Sequence, residues 1–175
     1  MLDRLEGSGY LSKEKAISLG VVGPAARGSG IDVDIRRECP YLAYHHLQIK
    51  VPVYEDGDVL ARTSVRIDEI YESLKYIKEL IEDLPDGEII TESPKEFPCY
   101  KPALGVIESA KGELVHVVIT EPGNKVFRFH IRSASYMNWR GMVEATMGQD
   151  NLKNIVTDGP LVNKSFNLCY ACVDR

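Results

Sequence analysis

The chain has 175 residues, 44% of them hydrophobic and 27% charged, the mixture of an ordinary folded domain; this excludes a disordered tail or a collagen-like polymer. Lys and Arg number 21 against 26 Asp and Glu, a net charge of −5 with both signs interspersed, so there is no basic footprint for nucleic acid. No apolar run is long enough to span a bilayer, and the opening MLDRLEGSGYLSKEK lacks the apolar core of a secretory signal, so a cytosolic, thiol-preserving compartment is expected.

In chain order, the first thirty residues are rich in glycine. Within them, KEKAISLG predicts a short helix with Ser12 as N-cap and Gly20 as stop. The following VVGPAARGSGIDVDIRR holds too many breakers for regular structure, and its glycines match neither a dinucleotide fingerprint nor a P-loop. A long helix follows, capped by Asp58 and ended by Leu84-Pro85-Asp86-Gly87. Its apolar stripe is Leu60, Ile67, Ile70, Tyr71, Leu74, Ile77, Ile81 and Leu84. At about 1.5 Å per residue it would be roughly 39 Å long, more than a globule of this size needs. Such a helix usually packs on a larger body.

Glu88 to Lys101, broken by prolines, reads as a connecting loop. Two β-rich runs, Glu113 to Ile119 and Val126 to Ile131, flank Glu121-Pro122-Gly123-Asn124 and predict a hairpin. Tyr136 to Met147 can form a further helix, and the last 25 residues lack strong periodicity. The expected fold is therefore α+β, with residues 1–175 as a single unit: a long bundle-type helix, a small antiparallel hairpin or sheet, and irregular termini.

Cys169 and Cys172 form a CxxC, whose spacing lets two thiolates converge on a soft metal such as nickel, iron or zinc. A redox dithiol or a chance spacing are the alternatives. One pair supplies only two ligands, and Cys39, Cys99 and the four histidines form no second pair. His45 and His46 are adjacent and point apart, while His116 and His130 can face each other across the hairpin. Lys111, beside Gly112 on a turn, can serve as a proton donor or electrostatic clamp, or can simply be a solvated lysine. Arg27, Asp32, Asp34, Arg36 and Arg37 make a charge-dense loop, expected either as a salt-bridged surface or as an interface between two elements.

Taken together, five segments resemble one superfamily. They are GVVGPAARGSGIDVDIRRECPYLAYHHL, VPVYEDGDVLARTSVRIDEIYESLKYIKELIEDLP, IESAKGELVHVVI, RSASYMNWRGMV and KSFNLCYACVDR. In this order they resemble the C-terminal half of nickel–iron hydrogenase large subunits of the membrane-bound, energy-converting type. That superfamily includes the quinone-site subunit of respiratory complex I, whose branch has lost the metal and its cysteines.

The resemblance implies a partial fold of the hydrogenase large-subunit type and a nickel–iron centre with cyanide and carbonyl ligands on the iron. Cys169 resembles the terminal nickel ligand, and also a proton acceptor; Cys172 resembles a bridging ligand; Lys111 takes the place of a basic residue over the site. The implied activity is reversible hydrogen oxidation and proton reduction in a multisubunit complex. Implied partners are the missing N-terminal half with its own CxxC, an iron–sulfur small subunit, membrane-arm subunits and a ferredoxin-like carrier. The chain would sit peripherally on the cytoplasmic membrane face through those partners, either as a naturally split subunit or as a shortened piece of one.

Two departures stand out. Asn167-Leu168 replaces the Asp-Pro common before the last motif, and the N-terminal CxxC is absent. Arg175 occupies the place after which many members lose a C-terminal extension. The alternatives are a metal-free complex I-like oxidoreductase subunit of the NADH/quinone type, and a non-catalytic interaction fragment that binds zinc or nothing through its thiols.

Overall fold

A computed structural model describes residues 2–88, 90–148 and 154–174, so Arg175 lies outside the described residues. The first α-helix is α1 (Lys13–Ser18). Its N-cap Ser12 accepts a hydrogen bond from the Lys15 N–H at 3.3 Å, and Gly20, at φ +66°, turns the chain away just beyond its end.

The breaker-rich run is not irregular throughout. It holds two single-turn helices, α2 (Pro24–Arg27) and α3 (Ile35–Glu38). Pro24 presets the first and the Asp34 carboxylate caps the second through the Arg36 N–H, so the breakers that rule out a long helix start two short ones.

The long helix is α4 (Val59–Glu82), capped by Asp58 through the Ala61 N–H at 2.8 Å. The other Asp58 oxygen accepts from the Gly7 N–H at 2.7 Å, which ties the start of α4 to the N-terminal segment. Only Val59, Ala61, Arg62 and Val65 of α4 are buried.

The expected hairpin is part of a three-stranded antiparallel sheet in the order β1-β2-β3, with β1 (Pro102–Ser109), β2 (Gly112–Glu121) and β3 (Lys125–Arg132). The strand β1 is not legible in the sequence because Pro102 and Gly105 dilute its strand signal. The register also separates two histidines. His116 pairs with Ile131 and His130 with Val117, so their side chains leave opposite faces of the sheet and do not meet.

Helix α5 (Ala134–Met147) begins at the Ser133 cap, which accepts from the Tyr136 N–H at 3.1 Å. The C-terminal region contains α6 (Gly159–Phe166), a correction to its reading as aperiodic: two turns are too few for a period to register. Leu11, Ala16, Val21, Ala25, Ala26, Val59, Ala145, Val162 and Phe166 form one core where the N-terminal segment, the first turns of α4, α5 and α6 meet. Arg62 crosses this core. It donates to Ser165 Oγ (2.8 Å), Gly57 O (2.9 Å) and Gly9 O (2.8 Å), and its guanidinium lies 4.4 Å from the Phe166 ring centre. Burial pushes its pKa down to about 9, so it remains a cation at neutral pH. No helix among the described residues is long and apolar enough to cross a membrane.

Candidate functional site

Helix α6 ends at Asn167, whose left-handed conformation (φ 53°, ψ 42°) turns the chain into the cysteine segment. Two serines at the start of α5 then hold that segment by its backbone. The Cys169 N–H donates to Ser135 Oγ at 3.0 Å, and Ser133 Oγ donates to the Cys172 carbonyl at 3.3 Å. Tyr170 meets Trp139 of α5 edge to face, with ring centres 5.5 Å apart.

Cys169 is half-buried and Cys172 exposed, and the two thiols are hydrogen-bonded to each other. Hydrogen bonds from the side chain and N–H of Cys172 hold the Cys169 thiol below its ordinary pKa. Burial opposes this, while the Lys111 charge and the Ala171 N–H support it. The sequence-predicted Cys169 and Cys172 thus lie together, and Lys111, 58 positions before Cys169 in the chain, is near enough for its charge to act on the Cys169 thiol.

The Lys111 turn joins β1 to β2 and is held from three sides. Ser109 Oγ accepts from the Lys111 N–H (3.3 Å) and donates to the Gly112 carbonyl (2.7 Å). Asn138 of α5 is fully buried. It accepts from the Val22 N–H (2.8 Å) and donates to the carbonyls of Val22 (3.0 Å) and Lys111 (3.4 Å). Gly23, at φ +66°, lies so close to Gly112 that a Cβ on it would sit 2.2 Å from the Gly112 Cα. The first two turns of α5, with its cap, thus align both the thiol pair and the lysine. Ser133, Ser135 and Asn138 carry that alignment, and sequence reasoning assigns them no role. Their one signal is small polar residues at the start of an otherwise mixed helix, which does not distinguish a clamp from an ordinary cap.

Among the described residues the thiol pair makes at most half of a metal site. Cys39 and Cys99 lie exposed elsewhere, His45 and His46 are exposed on a separate turn, and no group of three or more metal-binding side chains exists among the described residues. Two adjacent thiols, one with a depressed pKa, suit a soft metal ion. A four-ligand site would need two donors from outside these residues.

The charge-dense loop divides into two parts. Arg37 and Asp32 pair on the surface at 2.9 Å. Arg27 and Asp34 are instead buried at an interface between elements. Arg27 contacts Asp34 (3.3 Å), Glu69 of α4 (2.5 Å) and Glu108 of β1 (3.0 Å), while Arg36 grips Asp34 at 2.6 Å. Burial acts to raise the Asp34 pKa, but Arg36 and Arg27 together hold it below the usual carboxylate range. For Glu108 burial prevails over Arg27, and its pKa is raised.

Beside this hub lies a cavity of about 430 Å³, lined by Arg27, Arg66, Glu69, Leu74, Ala110 and Asn167 among others. Ala110 directly precedes Lys111, and Asn167 lies two residues before Cys169. Glu108 lies in the cavity wall, and Ala110 and Asn167 bring the wall next to the Lys111 turn and the cysteine segment.

Residues 1–106 and 101–175 match the family described as the respiratory-chain NADH dehydrogenase 49 kDa subunit. An NADH-quinone oxidoreductase subunit of Clostridium beijerinckii is 36% identical over 168 residues, covering 92% of this chain and 45% of that protein. Formate hydrogenlyase subunit 5 of Escherichia coli is 34% identical over 100% of this chain and 30% of its own length. The carbon monoxide-induced hydrogenase of Rhodospirillum rubrum is 31% identical over 100% of this chain and 47% of its own. Among solved structures, a chain of the membrane-bound sulfane sulfur reductase, an archaeal respiratory membrane complex, superposes with a TM-score of 0.85 at 32% identity. The match covers 99% of this chain and 47% of that one. The chain spans less than half the length of each of these relatives.

Proposed function

The chain belongs to the family of the respiratory-chain NADH dehydrogenase 49 kDa subunit, which lies in one superfamily with nickel–iron hydrogenase large subunits, and from that membership we propose that it is the nickel-binding C-terminal part of a hydrogenase-like large subunit. The observation that carries this reading is the juxtaposition of Cys169, Cys172 and Lys111 on one scaffold. A metal-free quinone-type subunit has no need of a mutually hydrogen-bonded thiol pair with a cation beside it.

Cys169 and Cys172 would hold a nickel–iron centre, completed by cysteines from the remaining half of the subunit. When bound, that centre supplies the site of hydrogen oxidation and proton reduction. The chain's own residues bind and orient it. Ser133 and Ser135 fix the backbone from which both sulfurs project. Cys169, whose thiol is held below its ordinary pKa, ionises readily as a ligand, and its Sγ, the terminal ligand by resemblance, would accept and return the proton. Lys111 stabilises the thiolate by its charge and faces the same site as a second proton carrier, with a point charge rather than the fork of an arginine. Asn167, in place of an acid, orients its neighbours but cannot ionise.

The chain would act as one unit in a multisubunit complex, peripheral on the cytoplasmic face of a membrane. An iron–sulfur small subunit, membrane-arm subunits and a ferredoxin-like carrier would complete the electron path. The second reading is a metal-free subunit of NADH/quinone type, favoured by the 36% identity to the NADH-quinone oxidoreductase protein of Clostridium beijerinckii.

Nickel and iron content of the complex isolated with this chain separates the two. We expect one nickel per chain in the wild type and loss of nickel in Cys172→Ser with the complex still assembled. Absence of nickel from the intact wild-type complex would replace the hydrogenase reading with the metal-free one.

A further inference from the structure

Glu108 is an acid to which the chemistry above gives no task. It stands on β1 three residues before Lys111, and its side chain is only 4% exposed. One of its oxygens accepts from Arg27 at 3.0 Å, and the other accepts from the Ile35 N–H at 3.3 Å, a long bond. The strand beneath is held in place, because the Glu108 N–H donates to Tyr41 Oη at 3.2 Å.

Asp34, Glu69 and Glu108 share the Arg27 guanidinium, and they are not held equally. Asp34 has a second guanidinium, since Arg36 donates to it through Nε at 2.9 Å and through the terminal nitrogen at 2.6 Å. Glu69 also feels the charge of Arg66, and its side chain is 16% exposed, so water serves it too. Across the strand pair Glu113 stands opposite Glu108 in register, but Arg132 of β3 engages it. Of these four acids Glu108 has the least support for its charge: a share of one guanidinium, one long bond, and Asp34 close by. Burial, helped by the Asp34 charge, outweighs Arg27 and raises its pKa. An acid so placed takes up and gives back a proton nearer to neutrality than an ordinary glutamate.

Its position matters as much as its charge. Glu108 lies in the wall of the 430 Å³ cavity, and so do Ala110, beside Lys111, and Asn167, two residues before Cys169. Ser73 and Ser109 add hydroxyl groups to that wall, and Arg27, Arg36 and Arg66 add guanidinium groups. A space of this size with so many polar groups around it takes several water molecules. Hydrogen-bonded water carries protons between an acid and a base that do not touch.

We infer that Glu108 is the proton-relay carboxylate of the thiol site, exchanging protons with it through water in the cavity. The inference rests on the hydrogenase reading given above. Each proton that arrives at Cys169 Sγ passes to cavity water, and water passes a proton to the Glu108 carboxylate, which becomes the neutral acid. The O–H bond formed at Glu108 replaces the S–H bond broken at Cys169, and no electron moves in this step. Proton reduction runs the same path backwards. Glu108 acts through water and through Cys169, so it is a positioning residue for the proton.

The test compares the wild-type complex with Glu108→Gln, which keeps an oxygen for Arg27 and Ile35 but cannot take up a proton. Infrared difference spectra between hydrogen- and argon-equilibrated complex should show the C=O band of a neutral carboxyl group in the wild type. That band should shift in D2O and vanish in Glu108→Gln. Exchange of hydrogen with D2O should fall about a hundredfold in the same variant, with nickel content unchanged. A band that persists in Glu108→Gln, or exchange at the wild-type rate with nickel retained, would overturn the relay. Where Glu108→Gln does not assemble, Glu108→Asp decides. It keeps the acid but withdraws it by one methylene, so the band should shift and exchange should slow with nickel retained; wild-type values for both would overturn the relay. Nickel is measured on every sample. A wild-type complex without nickel overturns the hydrogenase reading and the relay with it, whereas a nickel-loaded complex without the Glu108 band overturns the relay alone.

Discussion

Asn138 shows how much of this site depends on residues that do no chemistry. Its amide satisfies both backbone groups of Val22 and reaches the Lys111 carbonyl, while its side chain is fully buried. Asn138→Leu keeps a similar volume but leaves those groups without partners, and should cost about 2–4 kcal/mol in urea unfolding followed by circular dichroism. Asp34 makes a second test. Its pKa is lowered in the folded chain, so its contribution is present above 3.8, the ordinary value, and is lost as pH falls below that toward the folded value. Asp34→Asn should therefore be less stable than the wild type by about 3 kcal/mol at neutral pH, with the gap narrowing as the pH falls below 3.8. A gap that stays constant with pH would show that the charge of Asp34 is not what stabilises the hub. The sequence displays Cys169, Cys172 and Lys111 because spacing and resemblance mark them. It does not display Ser133, Ser135, Asn138 or Arg62, since a side chain that serves distant backbone groups leaves no local pattern.

Elements were legible where local signals mark them. The 24 residues of α4 announce themselves by cap and stripe, and α1 by its serine cap and glycine stop, because these signals are local. The short helices α2, α3 and α6 contain too few turns to show a period, and β1 is recruited as a strand by pairing with β2 rather than by its own composition. Contacts between elements follow the same rule. Gly23 and Gly112 are unremarkable in the sequence, yet their backbones touch and fix the Lys111 turn against the N-terminal segment. Gly23→Ala would force a Cβ into the Gly112 backbone at a positive φ. It should destabilise the chain by about 2–4 kcal/mol. It should also displace Lys111, which nickel retention in the assembled complex would report alongside urea unfolding.

At the scale of the molecule, a small core supports a large exposed surface. Nine buried hydrophobic residues gather around the N-terminal segment, α5 and α6, while eleven of the 24 residues of α4 and the outer part of the sheet are exposed. Leu104, Val126, Phe127 and Phe129 are each at least half exposed, so the sheet, like α4, is only partly packed. Much apolar surface is thus left uncovered in a chain that spans less than half the length of its relatives.

The sequence by itself determined the α+β class, the long helix, the hairpin and the identity of the thiol pair, because caps, periodicity, turn residues and motif spacing are written over a few neighbouring positions. Only the tertiary structure decided that the charge of Lys111 acts on Cys169, that Arg27 and Asp34 are buried while Arg37 and Asp32 are not, and that His116 and His130 stand on opposite faces. Each of these depends on strand register or on the packing of segments dozens of residues apart. Such long-range geometry is fixed by the burial of the whole chain and not by any stretch of it.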